Sequence, residues 1–267
     1  MSKDTSSLFH HDGYLHLPSF ISDRERLSLI HRMKEITETK CPQEQTQLFL
    51  AGYDRQSADD YFLASDNAIS FFFDKNKGRS SGNPFSMLNK VGHGLHNLCP
   101  VFRRFSHQEK FYSLLKELGH RKPLAIQSMF IFKQSKFGDE VPAHQDATFL
   151  YTEPNSVIGI WFALEDADQE NGCLWVLPKG HKAGLKNRFL KQGSKVCFQE
   201  EQKISWPKEA FIPVPVKAGD AIVLHGLLPH FSEQNLSEKT RYAYTIHFID
   251  RSCYFPKTNW IRHELAQ

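Results

Sequence analysis

The spacing of apolar residues predicts helices in the first part of the chain and strands in the rest. Apolar side chains recur at helical spacing from Leu27 to Ile36, and the S-x-x-E run Ser22 to Glu25 before them has the form of a capping box. A second such run, Ser106 to Glu109, precedes the apolar residues Phe111 to Leu118, and Gly119 is suited to end that helix. We therefore expect two helices that pack against a core.

Apolar and polar residues alternate in the segment Leu124 to Lys133, as they do in a half-buried strand. Large apolar residues share one face, namely Leu124, Ile126, Phe130 and Phe132. The other face carries Gln127, Met129 and Lys133. The first face is expected to join the core and the second to line a cavity.

The region after residue 219 repeats this pattern. Asp220 to His225 and Arg241 to Phe248 are predicted as strands, with a turn at Asn235 to Ser237 between them. His230 lies in the stretch that leads into the turn. We expect His230 and Arg241 to lie on neighbouring strands of a hairpin.

The order of these elements predicts a single domain over residues 1–267, since no repeat or low-complexity tract divides the chain. Residues 1–123 would form a mainly helical part and residues 124–250 a β-rich core that carries the site. Gln43 to Pro84 is polar and irregular, except for the phenylalanines of Ala68 to Phe73, which are expected to cover a core face. The predicted fold class is mainly β with flanking helices around a double-stranded β-helix, or jelly-roll, core.

The candidate chemistry lies in the tripeptide His144-Gln145-Asp146. In an extended segment residues i and i+2 point to the same side, so His144 and Asp146 can converge on one ion while Gln145 leans away. With His230 they would complete a 2-His-1-carboxylate triad, which binds Fe(II) on one face and leaves positions open for a co-substrate and O2. Arg241 has a rigid fork that suits the far carboxylate of a dicarboxylic acid, which points to 2-oxoglutarate.

Several other histidines are not predicted to be metal ligands. A second H-x-D tripeptide, His10 to Asp12, is interpreted as a polar lead-in to the strand Tyr14 to Leu17. His93 and His96 have helical spacing but no third ligand nearby, which favours an ordinary amphipathic face. His247 shares a strand face with Arg241 and is expected to line the cavity or to support a metal ligand.

Composition narrows the expected partners and the expected compartment of the protein. The 33 Lys and Arg residues against 30 Asp and Glu give a net charge of only +3, with no dense basic run, so nucleic acid is not an expected partner. Five widely spaced cysteines without a C-x-x-C motif indicate neither a disulfide framework nor a zinc knuckle. No signal peptide, long apolar run or C-terminal peroxisomal signal is seen, so we expect a cytoplasmic protein without membrane insertion.

Longer motifs carry a resemblance to a known family. The run Ile126 to Pro154 (IQSMFIFKQSKFGDEVPAHQDATFLYTEP) and the run Glu170 to His181 (ENGCLWVLPKGH) resemble the phytanoyl-CoA dioxygenase family, and within it the domain-containing proteins. The resemblance extends from the N-terminal DGYLHLPSFIS to the segment Asp220 to His247. It implies a double-stranded β-helix oxygenase that uses Fe(II), 2-oxoglutarate and O2, supported by ascorbate, and releases succinate and CO2.

The resemblance also assigns roles to particular residues. It implies that His144, Asp146 and His230 bind iron and that Arg241 binds the distal carboxylate of 2-oxoglutarate. Further positions that match co-substrate contacts of the family are Lys90, Met129, Gln145, Trp161 and Ser232. Because Asp146 is retained where related halogenases carry a small residue, the resemblance favours hydroxylation.

The substrate to be hydroxylated is not identified by the sequence. A small molecule is expected, such as an acyl-CoA or another metabolite, although no convincing basic groove for CoA phosphates is seen. One alternative is a sensor that binds iron and 2-oxoglutarate without oxygenase activity. Another is a zinc-dependent cupin-like hydrolase or isomerase, which would not need Arg241.

Overall fold

The computed structural model of the protein describes residues 3–42, 48–49, 60–74, 83–193 and 195–261. The helices of these ranges are α1 (Lys3–Asp12), α2 (Asp23–Lys40), α3 (Asp60–Ala64), α4 (Leu95–Leu98), α5 (Pro100–Ser106) and α6 (Glu109–Glu117). Within the same ranges no helix has the length and apolar character needed to cross a bilayer.

The strands fall into three sheets. The first seven are β1 (Tyr14–Leu17), β2 (Leu48–Phe49), β3 (Ile69–Asp74), β4 (Leu88–His93), β5 (Pro123–Lys133), β6 (Val141–His144) and β7 (Ile158–Ala163). The others are β8 (Leu174–Val176), β9 (Asn187–Gln192), β10 (Lys195–Glu200), β11 (Ile212–Val214), β12 (Ala221–His225), β13 (His230–Ser232) and β14 (Arg241–Asp250). A large sheet has the order β1-β12-β7-β14-β5-β4-β3-β2, a small sheet the order β11-β8-β13-β6, and β9 pairs with β10. All pairs are antiparallel except β2 with β3. The fold is mainly antiparallel β with flanking helices, as predicted.

The large sheet separates two layers of buried side chains. On one face, Phe130, Phe162 and Tyr244 pack with residues of α2, α5 and α6. On the other face, Trp161 and Ala243 pack against small-sheet residues that include Leu174 and Val176. The helices thus cover one side of the large sheet and the small sheet covers the other.

Helix α2 begins as its sequence predicts. The backbone N–H of Glu25 donates to Oγ of Ser22, and the backbone N–H of Ser22 donates to Oε2 of Glu25, which confirms the capping box. The helix continues to Lys40 and buries Leu29, Met33 and Ile36.

The second predicted cap, at Ser106, is wrong. Ser106 is the last residue of α5, and its hydroxyl is 2.8 Å from the hydroxyl of Tyr244 on β14. Helix α6 begins after Gln108 without a side-chain cap. The S-x-x-E pattern was misleading because tertiary packing uses the serine elsewhere. Gly119 does follow the end of this helix, with φ +104°.

The N-terminal tripeptide His10 to Asp12 was predicted as a polar lead-in but closes helix α1. Phe9 of this helix is buried, and the N–H of Gly13 donates to the carbonyl of Phe9. Gly13 adopts φ +87°, a conformation that ends a helix at little cost for glycine. The strand predicted at Tyr14 to Leu17 is confirmed as β1.

A bulge changes the faces predicted for β5. Gln127 pairs with His247 and Ala125 pairs with Phe248, so Ile126 has no opposite partner on β14. The extra residue moves Ile126 away from Phe130 and Phe132 into a second cluster with Phe62, Trp260 and neighbouring apolar side chains. The predicted shared face therefore holds only for the part of β5 beyond the bulge.

The hairpin predicted for His230 and Arg241 is also wrong. His230 opens β13 in the small sheet, whereas Arg241 opens β14 in the large sheet. The connection between them contains the predicted turn, in which Oδ1 of Asn235 accepts from the N–H of Ser237. Because the chain crosses from one sheet to the other here, the two residues lie on opposite walls of the sandwich.

The irregular segment predicted over Gln43 to Pro84 lies largely outside the described residues. Within its described part, Asp60–Ala64 is the helix α3 and not irregular, so that part of the prediction is wrong. The predicted core face is confirmed, since Phe71 and Phe73 of β3 join the helix-covered core.

Candidate active site

A cavity of about 190 Å³ lies between the two sheets. Its wall on the large sheet includes Lys90, Met129, Trp161, Arg241 and His247. Its opposite wall includes residues of β6 and β13, and the aromatic end, as we name it, is the apolar cluster of Phe62, Phe149 and Trp260. The surface of the cavity is mostly apolar, although about half of the side chains that line it carry polar groups.

His144, Asp146 and His230 meet at this cavity. His144 ends β6 and lies directly opposite His230 in the strand pairing, while Asp146 begins a short 3-10 turn after β6. Oδ1 of Asp146 is 3.8 Å from Nε2 of His144 and 3.7 Å from Nε2 of His230. One donor atom from each residue lies within 4.8 Å of the other two, a spacing that suits a metal ion.

Backbone carbonyls fix the orientation of both imidazoles. Nδ1 of His144 is 2.8 Å from the carbonyl of Pro142, and Nδ1 of His230 is 3.0 Å from the carbonyl of Leu228. A carbonyl can only accept, so both Nδ1 atoms carry the proton and both Nε2 lone pairs face the centre. Burial, together with the nearby His230, lowers the pKa of His144 to about 4, which keeps its imidazole neutral.

The carboxylate of Asp146 is held on its other side by His247. Oδ2 of Asp146 is 3.3 Å from Nε2 of His247, which leaves Oδ1 towards the two imidazoles. Burial raises the pKa of Asp146, but the imidazoles of His247 and His230 outweigh it and hold the pKa well below its usual range. Gly159 pairs with His247, and a Cβ there would lie 3.0 Å from Oδ2 of Asp146, so a larger residue at this position would crowd the carboxylate.

Arg241 provides a buried cation at the same cavity. Its side chain is only 1% exposed and lies over the ring of Trp161, with 5.4 Å from the guanidinium carbon to the ring centre. Within the described ranges neither Nε nor Nη1 has a hydrogen-bond partner. Burial lowers the pKa of Arg241 to about 10, so the group stays charged at neutral pH. A buried, unsatisfied guanidinium is suited to an anion from outside the chain.

Most of the predicted co-substrate residues lie at the cavity. Met129, Trp161 and Ser232 line it, and Trp161 pairs with Thr245 across β7 and β14. Lys90 also lines it, with Nζ 5.5 Å and 5.0 Å from the ring centres of Phe62 and Phe72. Burial lowers the pKa of Lys90 to about 7.

Gln145 is not among the residues that line the cavity, whereas the resemblance implies a co-substrate contact at this position. Its side-chain amide nitrogen, Nε2, donates to the carbonyls of Gly184 and Leu227, and Oε1 accepts from the N–H of Lys186. All three bonds go to backbone atoms, and the side chain is fully buried. Gln145 therefore holds the loops around the triad, which agrees with the strand alternation that turns it away from His144 and Asp146.

The amphipathic helix predicted for His93 and His96 is wrong. His93 ends β4 and His96 lies in α4, and both are buried. Nδ1 of His93 is 2.8 Å from the hydroxyl of Ser65, and Nδ1 of His96 is 2.9 Å from that of Ser128. His93 reaches the cavity wall, a position that the spacing of the two histidines did not reveal.

The sequence reasoning missed other residues of the wall. Thr245 shares the cavity face of β14 with Arg241 and His247, so the alternation along the strand was a usable signal for it. Trp260 lies after the last strand and stacks on Phe62 with ring centres 4.5 Å apart. No periodicity points to Trp260, since it belongs to neither a helix nor a strand.

These donor atoms fit a divalent metal ion and a dicarboxylic ligand. Two neutral imidazoles and one carboxylate form the donor set that suits Fe(II), with ligand positions left on the cavity side. The guanidinium of Arg241 supplies the separate positive charge that a distal carboxylate requires.

Known proteins are similar along nearly the whole chain. The family described as phytanoyl-CoA dioxygenase matches residues 9–243. A protein of Arabidopsis thaliana named phytanoyl-CoA dioxygenase is 40% identical over 268 residues, which cover 98% of this chain and 94% of that protein. The Mus musculus phytanoyl-CoA dioxygenase domain-containing protein 1 is 39% identical, over 95% of this chain and 92% of its own length.

A solved structure has the same fold at lower identity. The epimerase SnoN in complex with Fe3+, alpha ketoglutarate and nogalamycin RO superposes with a TM-score of 0.67 at 16% identity. The match covers 95% of this chain and 86% of SnoN. This similarity confirms the jelly-roll fold predicted for the core.

Proposed function

The chain belongs to the phytanoyl-CoA dioxygenase family, and from this premise we propose that it is an iron- and 2-oxoglutarate-dependent dioxygenase that converts 2-oxoglutarate to succinate and CO2 while hydroxylating a second small molecule. One observation carries the proposal. A His-Asp-His cluster and a buried guanidinium without a described hydrogen-bond partner line the same cavity.

In this proposal His144, Asp146 and His230 hold the iron. The backbone carbonyls behind the two histidines keep their Nε2 atoms directed to the metal. His247 contacts the second carboxylate oxygen of Asp146 and so restrains the carboxylate. When bound, iron and 2-oxoglutarate supply the chemistry that activates O2.

Arg241 is proposed to bind the 5-carboxylate of 2-oxoglutarate, with Ser232 as a hydrogen-bond donor from the facing sheet. Both side chains are almost fully buried, so the ion pair would form away from water. Met129 and Trp161 would pack against the carbon chain of the co-substrate. Lys90 is proposed as a further cation for its charged groups.

The second substrate is proposed to enter beside the aromatic end of the cavity. Phe62, Phe149 and Trp260 line that end, which is mostly apolar. They would exclude water from the reacting carbon and hold its C–H bond near the metal. The retained Asp146 favours hydroxylation as the outcome.

Succinate formation is the direct test. Purified protein would be incubated with Fe(II), 2-oxoglutarate, ascorbate and air, beside Asp146→Ala and His144→Ala variants and the control His31→Ala, whose side chain is 76% exposed. We expect succinate from the native protein and from His31→Ala, and none from the two cavity variants, which should remain folded. Succinate from Asp146→Ala would exclude the proposed metal site.

Measurements of metal and 2-oxoglutarate binding distinguish the oxygenase function from the sensor and the zinc-dependent alternatives. If native protein binds Fe(II) and 2-oxoglutarate tightly but forms no succinate with any candidate substrate, the sensor function would replace the oxygenase function. If activity instead needed zinc and ignored 2-oxoglutarate, the family-based assignment would be wrong for this chain.

A further inference from the structure

Lys133, the last residue of β5, is a buried lysine that the proposed function leaves without a role. It is only 2% exposed. A Cβ at Gly138 would lie 2.7 Å from Cγ of Lys133, and a Cβ at Gly172 would lie 2.6 Å from its Cδ. Gly172 also has φ +84°, which disfavours any other residue. Two glycines therefore leave a fitted channel for the stem of this lysine.

The ammonium group of Lys133 connects the two sheets. Nζ donates to the carbonyl of Asp139 at 3.0 Å and to the carbonyl of Glu233. Glu233 directly follows Ser232, which ends β13 in the small sheet. Asn235 completes the junction, since its Nδ2 donates to the carbonyl of Lys133 at 3.1 Å. The position of Ser232 relative to the large sheet thus depends on Lys133.

Lys133 also lies directly beside Arg241. The two residues are partners in the pairing of β5 with β14, so their side chains share one face of the sheet. Across the described part of the chain, neither forms an ion pair with a carboxylate. Burial, followed by the charge of Arg241, lowers the pKa of Lys133 well below its ordinary value. An anion bound at Arg241 would weaken this effect and favour the protonated ammonium, whose Nζ donates to the carbonyl of Glu233.

Resting on the proposed function, we propose that Lys133 is a positioning residue of the 5-carboxylate subsite and makes the enzyme select a dicarboxylic over a monocarboxylic 2-oxo acid. It acts without touching the co-substrate. It fixes the backbone next to Ser232, the proposed hydrogen-bond donor to the 5-carboxylate, through the contact of its Nζ with the carbonyl of Glu233. A purely structural role would predict a loss of stability with unchanged selectivity.

The test compares two 2-oxo acids on Fe(II)-loaded protein without oxygen. 2-Oxobutanoate shares the 2-oxo acid group of 2-oxoglutarate but lacks the distal carboxylate, so it does not need the subsite. Dissociation constants for both acids would be measured by calorimetry for native protein, Lys133→Met and Lys133→Gln. Lys136→Met is the matched control, since Lys136 is 63% exposed and only three residues away.

We expect Lys133→Met to weaken 2-oxoglutarate binding by about tenfold, as removal of a supporting group typically does, with little change for 2-oxobutanoate. The glutamine of Lys133→Gln is one atom shorter than lysine and keeps at most part of the contact with the two carbonyls, so we expect a smaller loss in the same direction. This variant carries the measurement if the methionine variant does not fold. Equal losses for both acids, or no loss, would overturn the role of Lys133. If native protein itself showed no preference for 2-oxoglutarate over 2-oxobutanoate, the proposed function would be wrong, whatever the effect of the Lys133 variants.

Discussion

The two faces of the large sheet are both buried, but they differ in how their polar groups are satisfied. Strand β14 shows this most clearly, because all ten of its residues are buried. Towards the helices it presents Tyr244, Ile246 and Phe248, which pack among aromatic and aliphatic side chains. Towards the small sheet it presents Arg241, Thr245 and His247, which line the cavity.

This difference shows why burial alone does not separate a core from a site. On the helix face, the hydroxyl of Tyr244 has a partner in Ser106. On the cavity face, Nε and Nη1 of Arg241 and Nδ1 of His247 have no hydrogen-bond partner among the described residues. A protein interior normally satisfies its buried polar groups, so clustered exceptions indicate a place for a ligand.

The largest effect on stability is expected from Phe248→Ala on the helix face. Phe248 is fully buried and contacts the ring of Tyr112 edge to face, so its loss leaves a cavity in the core. We expect the free energy of unfolding to fall by about 3–5 kcal/mol, measured by denaturant titration. Leu236→Ala, at a residue 73% exposed, should change it little. A small effect at Phe248 would contradict the assignment of this face to the core.

Arg241→Ala should weaken ligand binding and leave the protein folded, the opposite of the effect expected for Phe248→Ala. The variant removes a buried cation from the cavity face, so we expect 2-oxoglutarate binding to weaken by about 2–5 kcal/mol while the protein stays folded. Calorimetry with the Fe(II)-loaded protein would measure the first quantity and thermal unfolding the second. Arg104→Ala, at an exposed arginine, is the control. Unchanged 2-oxoglutarate binding would remove Arg241 from the co-substrate site.

Lys90, on the cavity face, should make the stability of the protein depend on pH. Its pKa is lowered by burial from 10.5 to about 7, so between these values the unfolded chain binds more protons than the folded protein. Stability should therefore rise with pH from 7 towards 10. Unfolding of metal-free protein at pH 7 and pH 9 should show this increment in native protein and lack it in Lys90→Met. Parallel pH profiles for the two proteins would show that Lys90 is not buried as described.

The smallest effect is expected from Tyr244→Phe on the helix face. The change removes only the hydroxyl that bonds to Ser106, so we expect a loss of about 1 kcal/mol in the free energy of unfolding. Catalysis and metal binding should not change, because this face does not reach the cavity. Tyr254→Phe, at a residue 63% exposed, provides the comparison. A loss of metal binding in Tyr244→Phe would contradict the conclusion that the helix face of the sheet does not contribute to the site on the cavity face.

The sequence predicted those features that depend on local spacing. The capping box at Ser22, the strand at Tyr14 to Leu17 and the convergence of His144 with Asp146 all follow from residues a few positions apart. The displacement of Gln145 from the cavity followed from the same alternation, although the family resemblance had placed it among the ligand contacts.

Features that depend on distant contacts were not predictable in this way. The cap at Ser106 failed because Tyr244 takes the hydroxyl, and the hairpin failed because the chain after His230 crosses between sheets. The bulge at Ile126 reverses a face without any signal in the alternation of residues. Trp260 reaches the cavity only through the tertiary fold.

Because core and cavity residues alternate along β14, an error in the pairing of this strand would affect both faces of the sheet. A slip of one residue in its pairing would turn Arg241 and His247 towards the helices and Tyr244 towards the cavity. Such a chain would lose its core and its ligand site at the same moment, and would present apolar surface to chaperones and proteases. Cells would thus clear such slipped copies as unfolded protein, rather than keep them as folded protein without a ligand site.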